Sequence, residues 1–180
     1  ATTAKPGRNL ALLPILKLWF QLAKSKIQMP PAVGVGIGVL VVHDGRVLLG
    51  RRKNAHGANT FALPGGWLER NETFEDGARR ELKEETALDQ QDLMPDSTPE
   101  TLPTVANNMV DQTHSVTVFV RLRLAPDAKQ PVLAEPEKCF EWRWHPLTEP
   151  LPQPLFPPLA HLLGTSYWAE HVIAAEVLPP

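Results

Sequence analysis

Residues 63–88, LPGGWLERNETFEDGARRELKEETAL, constrain the fold more than any other stretch of this chain. Thr73, followed three residues later by Asp76, has the form of a capping box, and apolar residues then recur with the helical period of 3.6. The sequence therefore predicts a helix over residues 73–87, directly after a Gly-Gly loop. Its buried stripe is predicted to contain Phe74, Ala78 and Leu82.

Several acidic side chains of this predicted helix lie where a solvated helix gains nothing from them. Glu81 and Glu85 fall on the flank of the buried stripe, turned toward the protein body. In the last turn the helix dipole disfavours each anion by roughly 0.3–1 kcal/mol, and each like-charge pair at i,i+4 adds roughly 0.2–0.5 kcal/mol. A divalent cation, Mg²⁺ or Mn²⁺, prefers carboxylate oxygens and would remove this repulsion. The alternative is an ordinary Glu-rich helix in which Arg80 pairs with Glu84.

The spacing of glycines and charged residues in this stretch favours the cation. Gly66 is followed by five residues, Glu72, seven residues, and then RELKEETAL from position 80. This pattern resembles the Nudix box, G-x5-E-x7-R-E-U-x-E-E-x-G-U, in which U is an aliphatic residue. Only the penultimate glycine differs, because Ala87 stands there. The difference falls at the helix C-terminus and concerns the turn rather than the chemistry.

The resemblance covers residues 32–164 and includes VGVGIGVLVV, EPEKCFEWRW and PQPLFPPLAHL. These segments are similar to the small nucleotide-hydrolysing, MutT-like Nudix enzymes of plant cytosol and the related human nucleotide diphosphatase. The resemblance implies an α/β/α sandwich with a mixed β-sheet. It also implies Mg²⁺-dependent hydrolysis of a nucleoside diphosphate linkage, with a (deoxy)nucleoside triphosphate, such as an oxidised guanine nucleotide, cleaved to monophosphate and pyrophosphate in nucleotide pool sanitation.

The resemblance also implies roles for individual residues. Metal binding falls to Glu81, Glu85, Glu84 and the Gly65 carbonyl. Among the catalytic residues, which are Glu85, Glu81, Glu84 and Arg80, Glu85 helps to activate the attacking water and Arg80 orients the glutamates. Glu72 braces the loop, and Arg52 is chosen over Arg51 and Lys53 as the phosphate contact. The remaining substrate-binding residues are Gly36, Leu63, Gly66, Leu155 and Phe156.

Two alternatives to this function stay open. The box recognises a diphosphate and not the group attached to it, so ADP-ribose and isoprenyl diphosphates are alternative substrates. A Nudix-fold module that binds a nucleotide or a partner without turnover is the alternative class of protein. The intact Glu81, Glu84, Glu85 and Arg80 favour the enzyme.

The rest of the domain is predicted to be mixed α/β. An Asp44-Gly45 turn between two apolar runs predicts a hairpin over residues 32–52. Gly34, Gly36 and Gly38 share one face of its first strand; either another element crosses them closely or the face is kept bare for a flat ligand. Pro-rich residues 95–103 are predicted to be a loop. Further strands are expected at 103–110, 115–124 and 139–145, and a second helix at 157–164.

Composition limits the partners and the compartment. The chain has 180 residues and a net charge of −2, which favours one domain and gives no general attraction for a nucleic acid polymer. Its single cysteine, Cys139, excludes an intramolecular disulfide framework and fits a reducing compartment. We therefore expect a small-molecule nucleotide or other diphosphate as the partner and a cytoplasmic location, with an organelle as the alternative.

Residues 1–31 are predicted to be an N-terminal extension to a domain spanning 32–170, with a tail at 171–180. The extension contains basic residues but no acid, and its apolar residues predict an amphipathic helix too short to span a bilayer. Docking on the domain is the favoured interpretation, membrane-surface contact and a targeting remnant are the alternatives, and homodimer formation stays open. The apolar face comprises Leu12, Leu16, Trp19, Ala23 and Ile27.

Overall fold

A computed structural model describes residues 32–53, 56–110 and 113–174, which form a mixed sheet with helices on both faces. The predicted extension, residues 1–31, lies outside the described residues. Within the described ranges no helix is long and apolar enough to cross a membrane. The predicted α/β/α architecture is confirmed.

In the described part of the chain the sheet has six strands: β1 (Gly34–His43), β2 (Arg46–Arg52), β3 (Phe61–Ala62), β4 (Glu100–Val110), β5 (Thr113–Arg123) and β6 (Cys139–Pro146). The strand order is β3-β2-β1-β5-β4. β6 lies outside this order and pairs with β2. β1 and β5 are parallel, whereas the other pairings are antiparallel. The predicted hairpin is confirmed, since Val42 pairs with Val47 across Asp44 and Gly45.

β4 begins at Glu100, earlier than the sequence predicts. The expected Pro-rich loop to residue 103 is therefore wrong at its end, because Pro103 lies inside the strand. The pairing of β4 with β5 shifts register between Thr101 and Val105, around this proline. A proline cannot donate to a β-ladder and is tolerated at an irregularity of an edge strand, which is the position of β4.

β1 and β2 separate beyond their turn, and the chain that follows β2 enters the gap. β3 pairs with the far end of β2. The chain then crosses to β1, where the amide of Val39 donates to the Pro64 carbonyl and that of Ile37 to the Gly66 carbonyl, both at 2.8 Å. The Gly-Gly loop is consequently held as part of the sheet between two long strands.

Two helices cover the two faces: α1 (Phe74–Thr86) and α2 (Pro157–Leu163), the latter followed by a π-helical segment (Trp168–Ile173). β1 supplies both cores, because its side chains alternate between faces. Val39 and Val41 pack with Ala78 and Leu82 of α1. The opposite core comprises Leu40, Val42, Leu159, Leu162, Trp168 and Val172 among others.

The start of α1 follows the predicted capping pattern. The Thr73 hydroxyl accepts from the amide of Asp76 at 3.1 Å. Ala78 and Leu82 are buried as expected, but Phe74 is 38% exposed, so its place in the buried stripe is wrong. The reason is that a helical side chain points back toward the N-terminus, and Phe74, as the first helical residue, points beyond the helix.

The end of α1 is the position at which Ala87 replaces the glycine of the Nudix box. Ala87 adopts a left-handed conformation, with φ 59°, and its amide donates to the Lys83 carbonyl at 2.9 Å. This conformation is unfavourable for a residue with a Cβ by roughly 1–2 kcal/mol. The chain therefore keeps the backbone turn of the motif and carries strain in it.

Ala87→Gly is expected to stabilise the protein by about 0.5–1 kcal/mol, because glycine adopts this conformation freely but costs more chain entropy on folding. The expected change in melting temperature is an increase of about 1–4 °C, measured by calorimetry. Ala78→Gly, in the buried middle of the same helix, is the control and should lower the melting temperature. A decrease for Ala87→Gly would contradict the strain.

Candidate active site

Gly65 and Gly66 approach their neighbours more closely than any side chain allows. Gly65 has φ 149°, and a Cβ built on it would collide with the carbonyl oxygen of Ile37. A Cβ on Gly66 would lie 2.5 Å from Glu81 Oε1. The two glycines thus let the backbone of the loop lie between β1 and the carboxylates of α1.

Glu81 and Glu85 are both buried against this loop, at 5% and 9% exposure. Glu85 Oε2 accepts a hydrogen bond from the Gly65 amide at 2.9 Å. The two residues lie one turn apart on the flank of α1 that faces the sheet, as the helical period predicts. Glu84, by contrast, is exposed on the neighbouring face.

Burial makes the charged forms of these two glutamates costly. Desolvation raises the pKa of Glu85 to about 8, although the Gly65 amide opposes this rise and the charge of Glu81 adds to it. Desolvation also raises the pKa of Glu81, against the attraction of Arg80. Glu81 and Glu85 are therefore two buried carboxylates that repel each other. Hard divalent cations prefer carboxylate oxygens as ligands, and a cation bound here would remove the repulsion.

Arg80 is fully occupied by the protein itself. Its Nε and Nη2 donate to the two oxygens of Glu72 at 2.8 and 3.0 Å. Nη1 donates to Glu81 Oε1 at 2.7 Å and Glu84 Oε2 at 3.2 Å, and Nη2 also donates to the Trp67 carbonyl at 3.0 Å. All five N–H groups of the guanidinium are therefore in use. Arg80 orients the glutamates and, with Glu72, fixes the loop.

These contacts also keep the glutamates apart. Among the described residues, no three His, Cys, Asp or Glu side chains are gathered closely enough to hold a metal. Arg80 holds Glu81 and Glu84, whereas the Gly65 amide holds Glu85. A cation bound here would compete with Arg80 for the oxygens of Glu81 and Glu84, and the carboxylate oxygens of this cluster fit a hard divalent cation.

Two adjoining cavities meet at the loop. The carboxylate cavity, about 440 Å³, contains the glutamates of α1 together with Lys138 and Trp142. The apolar cavity, about 250 Å³, lies toward α2 and contains Gly36, Phe119 and Phe156. The residues that line both cavities are Arg52, Ala62, Leu63, Gly65, Gly66 and Trp67.

Arg52 stands at the junction of these cavities. Its Nε donates to the His56 carbonyl at 3.1 Å, and its guanidinium lies 4.4 Å from the centre of the Phe156 ring. Desolvation by burial lowers its pKa, while Glu85 attracts its charge. Arg51 and Lys53, which the sequence analysis did not select as the phosphate contact, line neither cavity.

Close packing accounts for two of the three glycines on the face of β1. The Trp67 ring covers Gly34, and a Cβ on Gly38 would lie 2.9 Å from the Phe119 ring, so close packing explains these two glycines. Gly36 lies between them, with only Thr117 Oγ1 and the Gly66 carbonyl nearby, at 3.3 and 3.5 Å from a Cβ built there. We call the part of the apolar cavity beside Gly36, between the Trp67 and Phe119 rings, the slot.

The structure brings most of the predicted substrate residues to this slot. Gly36, Leu63, Gly66 and Phe156 line the apolar cavity, as does Arg52. Leu155 does not line it. It pairs with Phe61 and packs against the core on the α2 side.

Sequence reasoning missed the polar floor of the apolar cavity. Buried Asn108, Ser115 and Thr117 line it, and Asn108 Nδ2 donates to Thr117 Oγ1 at 3.3 Å. The signal was present in SVTVFV, where Ser115 and Thr117 share the face of Phe119 on an otherwise apolar strand. Their nearness to Gly36 follows from the parallel register of β1 with β5, which pairs Gly36 with Thr117.

Sequence reasoning also missed the turn before β6. The amide of Ala134 donates to the Glu85 carbonyl at 3.2 Å, which brings Glu135 and Lys138 toward the carboxylate cavity. Trp142 also lines this cavity, where it lies partly buried against the core and donates from Nε1 to the same carbonyl at 2.9 Å. These contacts fix the backbone of Glu85 from the side opposite the loop.

The fold is an α/β/α sandwich in which α1 places two glutamates against the Gly-Gly loop of the sheet. This is the architecture that the sequence motif implies. Residues 31–164 match the NUDIX domain, and the chain belongs to the NUDIX family.

Individual relatives agree with this assignment. The ADP-ribose pyrophosphatase of Methanocaldococcus jannaschii is 43% identical over 67 residues, which cover 37% of this chain and 38% of that protein. The oxidized purine nucleoside triphosphate hydrolase of Danio rerio is 52% identical over 50 residues, 28% of this chain and 32% of that protein. The matched segments thus span about a third of these relatives' lengths. The crystal structure of a MutT NUDIX hydrolase from Burkholderia pseudomallei has 30% identity and a TM-score of 0.59, covering 69% of this chain and 90% of that one.

Proposed function

We propose that this chain is a Mg²⁺-dependent hydrolase that cleaves a (deoxy)nucleoside triphosphate to the monophosphate and pyrophosphate. One observation carries the proposal: the apolar cavity lined by Gly36 shares Arg52 and the Gly-Gly loop with the cavity that holds Glu81 and Glu85. A base in the slot would place its phosphates over the glutamates. A mostly apolar cavity with a few polar groups at its floor is the form of site that selects a small ligand.

Different residues of the site would bind the metal, orient the glutamates and bind phosphate. Glu81 and Glu85, with Glu84 and the Gly65 carbonyl, would hold Mg²⁺, or Mn²⁺ in its place. When bound, the cation supplies charge neutralisation and Lewis acidity toward the diphosphate. Arg80 keeps the glutamates oriented, and Arg52 binds phosphate next to the slot.

Glu85 is the residue best suited to accept the proton of the attacking water. Its Oε2 is held by the Gly65 amide, so the carboxylate has a fixed orientation, and Oε1 is the oxygen left to accept a proton. Without a cation, burial raises its pKa to about 8, and a cation held beside it would lower that pKa and keep the carboxylate ready to accept a proton near neutral pH.

The two curated relatives favour different substrates, because one is named for ADP-ribose and the other for oxidized purine nucleoside triphosphates. The slot favours the triphosphate, since the apolar cavity is small, about 250 Å³, and the Phe119 and Trp67 rings flank Gly36 within it. ADP-ribose would have to place its second ribose in the carboxylate cavity, beside Glu69 and Glu84.

A substrate panel tests the proposal. Nucleoside triphosphates, including oxidised guanine nucleotides, are compared with ADP-ribose and prenyl diphosphates in the presence of Mg²⁺, and all products are quantified. We expect monophosphate and pyrophosphate in equal amounts. Turnover confined to ADP-ribose or prenyl diphosphates would contradict the substrate, and tight binding without any product would favour a non-catalytic module.

Gly36→Ala should be assayed in the same panel. Its added methyl would fill the slot and contact Thr117 Oγ1 and the Gly66 carbonyl without a severe clash. KM for the preferred nucleotide should therefore rise roughly ten-fold or more, since a lost base contact costs about 1–3 kcal/mol. Val33→Ala, at an exposed position before the same strand, is the control. An unchanged KM would show that the base lies elsewhere.

A further inference from the structure

The carboxylate cavity contains one basic side chain to which neither the sequence motif nor the contacts described above assign a role. Three basic residues line this cavity: Arg52, Arg80 and Lys138. Arg80 has no donor left for a ligand, because all of its N–H groups bind the protein. Arg52 lies at the junction with the apolar cavity. Lys138, like Arg80, lines the carboxylate cavity and not the apolar one, but unlike Arg80 it has donors left for a ligand.

The backbone of Lys138 is fixed. Its amide donates to the Glu135 carbonyl at 3.0 Å, and its carbonyl accepts from the Lys53 amide at 2.8 Å. The same turn is held against the end of α1 by the bond from Ala134 to the Glu85 carbonyl. The turn that carries Lys138 is therefore hydrogen-bonded both to Lys53, directly after β2, and to the end of α1. These bonds fix the position from which the ammonium group reaches the carboxylate cavity.

The side chain of Lys138, in contrast, is free to exchange partners. Nζ forms an ion pair with Glu135 Oε1 at 2.8 Å, and the side chain is 55% exposed. Because the Lys138 end of the pair is exposed while Glu135 is 22% exposed, the ammonium can turn to a more highly charged anion in the cavity without being drawn out of a buried site. The ammonium is a compact charge with three donors, and the ion pair with Glu135 uses one of them.

We infer that Lys138 binds the distal phosphates of the substrate, which leave as pyrophosphate. This inference rests on the proposed function and deepens it. The order of residues along the two cavities sets the position: Gly36 lies only in the apolar cavity, Arg52 in both, and Lys138 only in the carboxylate cavity. A nucleotide with its base over Gly36 and its first phosphate at Arg52 extends toward Lys138 with its last phosphates.

Lys138→Gln tests the inference, with Lys53→Gln as the matched control. Lys53 donates to the Pro136 carbonyl of the same turn and lines neither cavity, so its replacement removes the same charge nearby. Binding of pyrophosphate and of nucleoside monophosphate is measured by calorimetry with Mg²⁺ present. Lys138→Gln should weaken pyrophosphate binding roughly 10- to 100-fold, the effect of one lost charge-assisted contact. Monophosphate binding should change less than about three-fold, and Lys138→Arg should restore most of the pyrophosphate affinity.

Each alternative outcome overturns the inference. Equal weakening by Lys53→Gln would mean a general charge effect, and equal weakening of monophosphate binding would mean a role beside Arg52 or in the fold. A melting temperature lowered as much as the binding would indicate a structural role. Because the assay uses pyrophosphate and not turnover, it separates the two proposals: Lys138-dependent binding in a protein that hydrolyses no triphosphate would support Lys138 as a pyrophosphate-binding residue and remove the proposed function. Wild-type protein that binds no pyrophosphate would overturn the inference itself.

Discussion

Glu81→Gln and Glu85→Gln are each expected to slow turnover roughly 10²–10⁴-fold, the range for loss of a general base or a key electrostatic group. Both carboxylates are buried against the Gly-Gly loop, and glutamine keeps their size while removing the charge that a cation requires. Glu84→Gln should cost clearly less. Glu84 is exposed and bonded to Arg80, so it acts on the site mainly through that arginine.

Metal-free melting temperatures distinguish a catalytic effect from a folding defect in these three variants. Glu85→Gln should leave the metal-free protein unharmed or slightly more stable at pH 8, because it removes a buried charge that repels Glu81. Glu84→Gln serves as the control from the same turn of the helix. If Glu84→Gln were the slowest variant, or if Glu85→Gln markedly lowered metal-free stability, the cation would not sit on this face of α1.

Local chemistry made α1 predictable from the sequence. Its cap, its period and its charged residues all act within a few positions of each other, and Thr73, Ala78, Leu82 and the split between Glu81 and Glu84 are found where the period places them. Phe74 failed because a helical period gives the direction of a side chain around the axis and not its tilt along it. The hairpin at Asp44 and Gly45 was predictable for the same local reason.

Long-range pairing decided what the sequence could not. The face shared by Gly34, Gly36 and Gly38 was equally consistent with close packing and with a ligand site. The answer depends on two pairings distant in sequence, which bring Trp67 over Gly34 and Thr117 beside Gly36. Lys138 escaped notice similarly, because nothing near it in the chain indicates that its turn bonds to the end of α1. Site residues outside a local motif therefore require the strand order.

Exhaustive chelation with EDTA should abolish turnover, and Mg²⁺ should restore it. The buried glutamates cannot approach a polyphosphate without a cation, since carboxylates and phosphates repel each other at close range. Activity is measured before chelation, after it, and after Mg²⁺ is added back. Full activity in the chelated protein would remove the metal site.

The stability of the metal-free protein provides a second readout that is independent of turnover. The pKa of Glu85 is raised from 4.5 to about 8 in the folded state, so between these values the folded protein holds a proton that the unfolded chain has released. The unfolded state then binds fewer protons, and the free energy of unfolding falls as pH rises from about 5 to about 8. A bound cation requires the deprotonated carboxylates, so the increase in melting temperature on adding Mg²⁺ should grow over the same interval. Glu85→Gln should flatten both trends, whereas Glu84→Gln should retain them. A Mg²⁺-induced increase that is equal at pH 5.5 and pH 8 would mean that the cation binds without Glu85.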